Sequence, residues 1–496
     1  MDTHSVAEPK INFDNSFSRS MEGFYVPCVA ARFSAPKLTL FNHTLAKELG
    51  LNAADFKSDE GAAIFSGQAI PDGAAPLAQV YAGHQFGHLS PQLGDGRALL
   101  LGEITDTDGK RRDIQLKGSG PTPFSRNGDG LAALGPVLRE YLMGEAMHAL
   151  GIPTTRALAV VTTGDQVYRE TKLPGAILTR IAASHIRVGT FQYFAARNDQ
   201  DKVRQLSDYA IERHSPGVQK ASNPYLAFFN EVVKAQASLI AQWMNVGFIH
   251  GVMNTDNMTI SGETIDYGPC AFMDVFNPET CFSSIDTQGR YAFEQQPPIG
   301  QWNLTRLAET LLPLIDEDEE KAVEIMTKAV NEYRDLYEDA WLTGAAAKIG
   351  LSSPSEEDQG LISRLFSMMV SDATDFTQVF RRLSDVLRGN RVPVQTLFKN
   401  QSGLKDWLNQ WQSRLEAQHS SFTDVADKID LINPIYIPRN HKVEEALDAA
   451  VNDGDLTLFD DLLDLVSNPF TERRGMDAYT RPAPESTVPY QTFCGT

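Results

Sequence analysis

Cysteine is scarce in this chain of 496 residues: Cys28, Cys270, Cys281 and Cys494 are widely scattered and form no CxxC pair. A disulfide scaffold and a cysteine zinc site are therefore excluded. Histidine offers no substitute, because His84, His88, His185 and His250 lack zinc-ligand spacing and read as structural residues. Basic residues are outnumbered, 44 Lys+Arg against 64 Asp+Glu, and the net charge of -20 repels nucleic acid and anionic membrane surfaces alike. The chain has no apolar run of about 20 residues, and its first residues, Met1-Asp-Thr-His, carry no basic region followed by an apolar one. Neither a membrane span nor a secretory signal is expected, and the expected location is the cytoplasm. With no internal repeat or low-complexity linker in view, no division beyond two lobes is expected.

What the chain does have is an ordinary globular share of hydrophobic residues, 42%, and several clusters of chemically useful side chains. Phe228, Val232, Leu239, Ile240 and Trp243 recur at near-helical spacing and predict a helix ending near Gly247. The loop that follows holds Asn254, Asp256 and Asn257. Thr259 to Ile265 alternates around Gly262 and predicts a hairpin that returns Asp266 to the side of Asp256 and Asn257. Mg²⁺ takes oxygen ligands and needs only one or two from protein when phosphate and water supply the rest, so Asn257 and Asp266 suffice and Asp256 is left to act as a base. Asn and Asp also gather in turns and caps for purely local reasons.

Upstream, Arg112 to Lys117 alternates like a half-buried strand and runs into Gly118-Ser119-Gly120. Leu134, Val137, Leu138, Leu142 and Met147 predict a helix that carries Glu140 and Glu145 and stops at Gly151. A strand lysine, a helix glutamate and a later Asp-Tyr-Gly occur in the order that protein kinases use. Two Gly-Asp-Gly turns, Gly94 to Gly96 followed by Arg97 and Gly128 to Gly130 around Asp129, flank the lysine strand. Each alone is a hairpin loop, but glycine backbone and an adjacent arginine can also engage phosphate. Arg180 and Arg187 lie on one face if their segment is helical and on opposite faces if it is a strand, and periodicity leaves that open.

The runs YAGHQFG, QLGDGRA, LKGSGPTPFSR, REYLMGEAM, LGIPTTRAL, SHIRVG, HGVMNTDNM and DYGP, between Tyr81 and Tyr291, resemble the selenoprotein O family. The resemblance implies an α+β, protein-kinase-like two-lobed fold, with a β-containing N-terminal lobe over residues 1–185 and a largely helical lobe over 186–496. It implies ATP bound in inverted orientation, and transfer of AMP to Ser, Thr or Tyr hydroxyls of protein substrates. By the same resemblance Gly94, Gly96, Arg97, Lys117, Asp129, Gly130, Arg180, Arg187 and Asp266 contact nucleotide, Glu140 orients Lys117, Asp256 is the base, and Asn257 and Asp266 hold Mg²⁺ or Mn²⁺. The family carries cysteine or selenocysteine near the C-terminus, and a redox-sensitive Cys281–Cys494 disulfide is expected, with Cys270 as the alternative partner. Two departures stand out: Leu131 follows Asp129-Gly130 where many members have a basic residue, and no His-Arg-Asp triplet precedes the catalytic loop. A γ-phosphoryl-transferring kinase and an inert ATP-binding scaffold are the competing readings. Further helices are expected at 302–315, 321–337, 361–387 and 443–466, with the acidic run at 316–320 serving a helix start.

Overall fold

The computed structural model describes residues 11–57, 59–352, 354–418, 421–484 and 490–492. Its strands concentrate before Ala182 and its long helices after it. The main sheet is antiparallel throughout and runs in the order Tyr25–Pro27, Leu77–Gln79, Ala98–Thr105, Arg111–Lys117, Lys172–Ala182, Arg156–Tyr168, Lys37–Phe41. The lysine strand is thus central, flanked by its hairpin partner Ala98–Thr105 and by Lys172–Ala182, with Lys117 opposite Leu178 and Gln115 opposite Arg180. That register puts Lys117 and Arg180 near each other on neighbouring strands, and both line the cleft.

The lysine strand departs from the half-buried expectation, because both of its faces are covered. Ile114 and Leu116 are fully buried, and so are the polar Asp113 and Gln115. Burying polar groups is tolerable only when they are paired. Asp113 receives Arg213 at 2.6 Å and His185 at 2.9 Å, and Gln115 receives Arg180 at 3.3 Å. The helix Leu134–Ala149 packs on the sheet and buries Glu140 along with its apolar stripe.

Beyond the sheet, the helix Pro224–Val246 is the hub. Pro224 occupies its first position, Asn223 caps it, and Gly247, left-handed at φ 72°, ends it, all as expected of such a sequence. The helix packs on Gln296–Ile315 and Glu319–Lys348, and its buried Phe228, Val232, Leu239 and Ile240 each contribute about 1.5–3 kcal/mol on burial. The helix expected at 361–387 is two, Glu356–Asp372 and Phe376–Leu387, divided where Ala373 turns left-handed at φ 54°. The one expected at 443–466 divides likewise into Asn440–Asp448 and Thr457–Val466 around a π turn and Gly454. Asp318 caps Glu319–Lys348, as the acidic run implied. Among the described residues, no helix is long and apolar enough to cross a membrane.

A buried arginine holds the far end of the helical region together. Arg439, without exposed surface, donates to Asp274 at 2.5 Å, to Asp375 at 2.6 Å and to the Thr480 carbonyl at 2.8 Å. Removing one partner from such a group strands buried charge and costs about 3–5 kcal/mol. Arg439→Met is accordingly expected to destabilise the fold by that amount in chemical unfolding, whereas Arg334→Met, which breaks the exposed Arg334–Glu338 pair, leaves the midpoint in place. Equal responses from the two variants would contradict the assignment.

Candidate active site

A cleft of about 620 Å³ opens between the sheet edge and the loops that follow the hub helix, and it is lined by Gly94, Gly96, Arg97, Lys117, Asp129, Gly130, Arg180, Arg187, Asp256, Asn257 and Asp266. Of the residues expected at the site, Glu140 alone lies behind this lining. Its carboxylate accepts from Lys117 at 2.7 Å and from Arg180 at 2.9 Å, so it orients the cations from below.

Asp266 is the centre of the cluster. Its Oδ1 accepts from Lys117 Nζ at 3.0 Å and Arg180 Nη2 at 2.6 Å, and its Oδ2 from Arg187 Nη1 at 2.5 Å. Burial alone would raise its pKa, but Arg180, Lys117 and Arg187 together hold it well below the ordinary carboxylate range. The backbone at Asp266 is left-handed, φ 63°, a conformation that costs a non-glycine residue on the order of 1 kcal/mol or more and gathers at functional sites. Arg180 sits on the strand Lys172–Ala182 and Arg187 caps the helix Val188–Ala195. Their segment is therefore neither one helix nor one strand, and both side chains reach the same carboxylate.

The expected hairpin at 259–265 does not form as a ladder. Gly262 does turn the chain, but Thr259 bridges to Arg187 and Thr264 bridges to Thr154, so each arm pairs outward. The alternation that looked like two mutually paired strands reflects those outside partners, and Asp266 still returns beside Asp256. Arg187 ties the two, donating also to the Asp256 carbonyl.

Asp256 lies in the short 3-10 turn Thr255–Asn257 and is buried. Burial pushes its carboxyl up to about 6, against the opposing pull of Arg187 and of a hydrogen bond from Gln85. That bond, Gln85 Nε2 to Asp256 Oδ2 at 3.1 Å, spans 171 residues of sequence. Oδ1 of Asp256 is buried without a hydrogen-bond partner among the described residues. The adjacent Asn257 donates its amide to the Val252 carbonyl at 2.9 Å, which turns its Oδ1 away from that contact.

The Tyr81–Gly87 run holds the Asp256 loop. The hairpin Gly83–Gln85 with His88–Ser90 gives backbone donors to Thr255 Oγ1 at 2.7 Å, from His84, and to Asn254 Oδ1 at 3.2 Å, from Phe86. Thr255 in turn donates to Gln192 at 2.6 Å, and Tyr291 donates to Asn254 at 2.6 Å. A side chain at Gly83 would overlap the Asp256 carboxylate, so only glycine permits this approach. Gln85, Asn254 and Tyr291 have no local spacing that would have disclosed these roles, since every contact is long-range.

The two Gly-Asp-Gly turns line the other side of the cleft. Gly94 and Gly130 are left-handed, at φ 74° and 67°. Asp95, between the two glycines of its turn, is buried and pushed up to about 6 by that burial, and it accepts the Gln79 backbone N–H at 3.0 Å. Asp129 is held by Arg169 at 2.7 Å. Arg97 and Arg126 line the cleft without a carboxylate partner among the described residues. Arg126 and Arg169 were not expected at the site; Arg126 lies two residues before the second Gly-Asp-Gly turn, and Arg169 reaches that turn across the fold.

Cys281 is half-buried, and burial together with Asp286 pushes its thiol up to about 11. Cys494 lies outside the described residues. Its neighbour Thr492 does pair with the Cys281 segment, donating to the Phe282 carbonyl at 2.7 Å and accepting from Ser284 at 3.0 Å. Cys270 is a buried core thiol, pushed up to about 11 by burial. Three of the histidines make structural bonds: His84 with Gln192, His185 with Asp113 through Nδ1, and His250 with the Ile265 carbonyl. Among the described residues, no group of three His, Cys, Asp or Glu could hold a metal alone.

A family model described as protein adenylyltransferase SelO matches residues 8–467. Relatives described as protein nucleotidyltransferase YdiU include one from Cereibacter sphaeroides, 58% identical over 98% of this chain and 99% of its own length. Others come from Rhizobium johnstonii, 54% identical over 98% of this chain and 97% of its own, and from Anoxybacillus flavithermus, 54% identical over 98% and 99%. With a family model and relatives both spanning nearly its whole length, the chain belongs to the SelO family.

Proposed function

We propose that this cleft transfers the AMP moiety of ATP to Ser, Thr or Tyr hydroxyls of other proteins and releases pyrophosphate, within a kinase-like pair of lobes divided near residue 185. Family membership makes the chain a nucleotidyltransferase. The observation that carries the finer reading is the convergence of Lys117, Arg180 and Arg187 on Asp266 beside a carboxylate, Asp256, that keeps one oxygen unengaged.

The chemistry follows from those positions. Asp256 accepts the proton of the acceptor hydroxyl as its oxygen bonds to the α-phosphorus, and the bond from that phosphorus to the α,β-bridging oxygen breaks, with pyrophosphate carrying the electron pair away. Lys117, Arg180 and Arg187 sit where charge accumulates on the leaving group, and Arg97 and Arg126 add donors at the glycine turns. Asn257 Oδ1 and Asp266 fit a hard divalent cation, Mg²⁺ with Mn²⁺ as an alternative, because both present oxygen and the remaining positions fall to phosphate and water. That ion would neutralise phosphate charge. Before nucleotide arrives, Asp266 is occupied by three cationic side chains. Phosphate oxygens then compete for the same cations and release the carboxylate.

Support for a redox role of Cys281 comes from the pairing of Thr492 with residues 282–284, which brings the tail to that segment. A Cys281–Cys494 disulfide would tie it there. Thiol counting and mass mapping under oxidising conditions are expected to find that linkage; four free thiols would dismiss it.

ATP labelled at the α- or the γ-phosphate, incubated with the protein, Mg²⁺ and a lysate, is expected to label protein from the α position only. Label from γ alone would make the chain a kinase, and none from either an inert scaffold. Asp256→Ala is expected to lower transfer by about 10²- to 10⁴-fold with nucleotide affinity largely kept, and Lys117→Ala to weaken ATP binding. Unaltered turnover in Asp256→Ala would remove it as the base. Calorimetry offers a separate check on the exchange at Asp266: Mg²⁺ alone should give negligible binding, and Mg²⁺ with a non-hydrolysable ATP analogue a clear isotherm. Tight binding of Mg²⁺ to the nucleotide-free chain would contradict it.

A further inference from the structure

Arg290 is a half-buried arginine that no carboxylate among the described residues partners, in a chain with 64 acidic side chains. Its Nε is buried without an acceptor. The side chain is nevertheless held in place: its guanidinium lies 4.9 Å over the Trp302 ring and 5.7 Å from the Tyr291 ring, and its backbone N–H donates to Asp286 at 3.0 Å. Arg306 covers Trp302 as well, at 5.1 Å, but pairs with Glu309 at 2.6 Å. Stacking on aromatic rings fixes the guanidinium plane, and apart from a hydrogen bond to Tyr291 its terminal N–H groups have no carboxylate partner among the described residues.

The position of that guanidinium relative to the base is set by the hairpin. A Cβ on Gly87 would lie 3.6 Å from the Arg290 guanidinium, and two residues earlier Gln85 donates to Asp256. Tyr291, next in sequence to Arg290, donates to Asn254 in the base loop and accepts from Phe86. Arg290 therefore moves with the base loop, yet it is outside the cleft lining where the phosphate-type cations gather. Ile285, which lines the cleft mouth, and Leu89 on the hairpin are both exposed. An acceptor whose hydroxyl reaches Asp256 would lay its neighbouring residues along this side.

Resting on the adenylyl-transfer reading, we propose that Arg290 is an acceptor-specificity residue, and that with the Gly83–Ser90 hairpin it binds an Asp or Glu side chain flanking the hydroxyl to be modified. The charge of the whole chain makes this local cation necessary. At a net -20 the protein repels an acidic segment at long range, and only a fixed guanidinium at contact distance reverses the sign.

The test uses the full chain, α-labelled ATP, and two matched peptide sets whose Ser, Thr or Tyr is flanked by Glu or by Lys. Wild type is expected to favour the Glu set by about tenfold or more in kcat/KM, the usual scale of one charge-assisted hydrogen bond. Arg290→Glu should invert the preference and Arg290→Lys should keep it in weaker form, with ATP affinity equal in all three. Equal use of both sets by wild type overturns the proposal, as does a preference that survives in a folded Arg290→Glu. Loss of ATP affinity in both variants would assign Arg290 to the nucleotide and overturn it too. Should Arg290→Glu fail to fold, wild type against Arg290→Lys still decides. If wild type places α-label on no peptide and on no protein, the adenylyl-transfer reading itself fails; α-label without a Glu preference refutes only the role given to Arg290.

Discussion

The Asp266 carboxylate, shared by Lys117, Arg180 and Arg187, is the contact on which the arrangement of the cleft depends. Four separate pieces of chain meet there: two neighbouring strands, a helix cap and the turn after Gly262. Such burial is not explained by stability, because taking charged groups out of water costs several kcal/mol per ion and an apolar cluster of equal volume commonly does as well. Three cations stand against two carboxylates, Asp266 and Glu140, which leaves one positive charge at the base of the cleft before the rim arginines are counted. A site with that surplus favours a polyanion. The left-handed backbone of Asp266 is a second local cost borne at the same residue.

The two walls of the cleft do different work. One carries the glycine turns and unpartnered arginines; the other carries Asp256 in a loop bound to the Gly83–Ser90 hairpin and to Tyr291. Asn254 and Thr255 make no contribution to the cations and are spent on fixing the loop. Their side chains satisfy hairpin backbone donors that would otherwise be buried and unpaired, so the hairpin and the base loop depend on each other. In the proposed reaction this keeps the acceptor side rigid while the nucleotide side exchanges partners.

Much of this was legible in sequence because it is local. The lysine strand, the Glu140 helix and the Gly247 stop all follow from periodicity and caps. What was not legible depends on contacts between distant segments. Arg180 and Arg187 resisted periodicity because the chain changes from strand to helix cap between them. Thr259 to Ile265 looked like a self-paired hairpin because alternation records which faces are covered and not what covers them. The break at Ala373 carries no glycine or proline to announce it, unlike the break at Gly454. Gln85 reached the base across 171 residues, a distance at which no spacing rule operates.

Asp256 and Asp266 lie ten residues apart and are the same residue type, so composition and spacing alone could exchange their roles. Their surroundings do not allow it. Asp266, clasped by three cations, is held well below the ordinary carboxylate range, which in the proposed reaction suits a ligand better than a base. Asp256 is buried with a single amide donor and one unengaged oxygen, and its carboxyl is pushed up to about 6, close enough to neutrality to take a proton and release it. Pairs of acids driven apart in this way are how one site divides labour between carboxylates. The division originates in what each carboxylate faces: Arg180, Lys117 and Arg187 hold Asp266 low, while burial raises Asp256, which Arg187 contacts only at its backbone carbonyl.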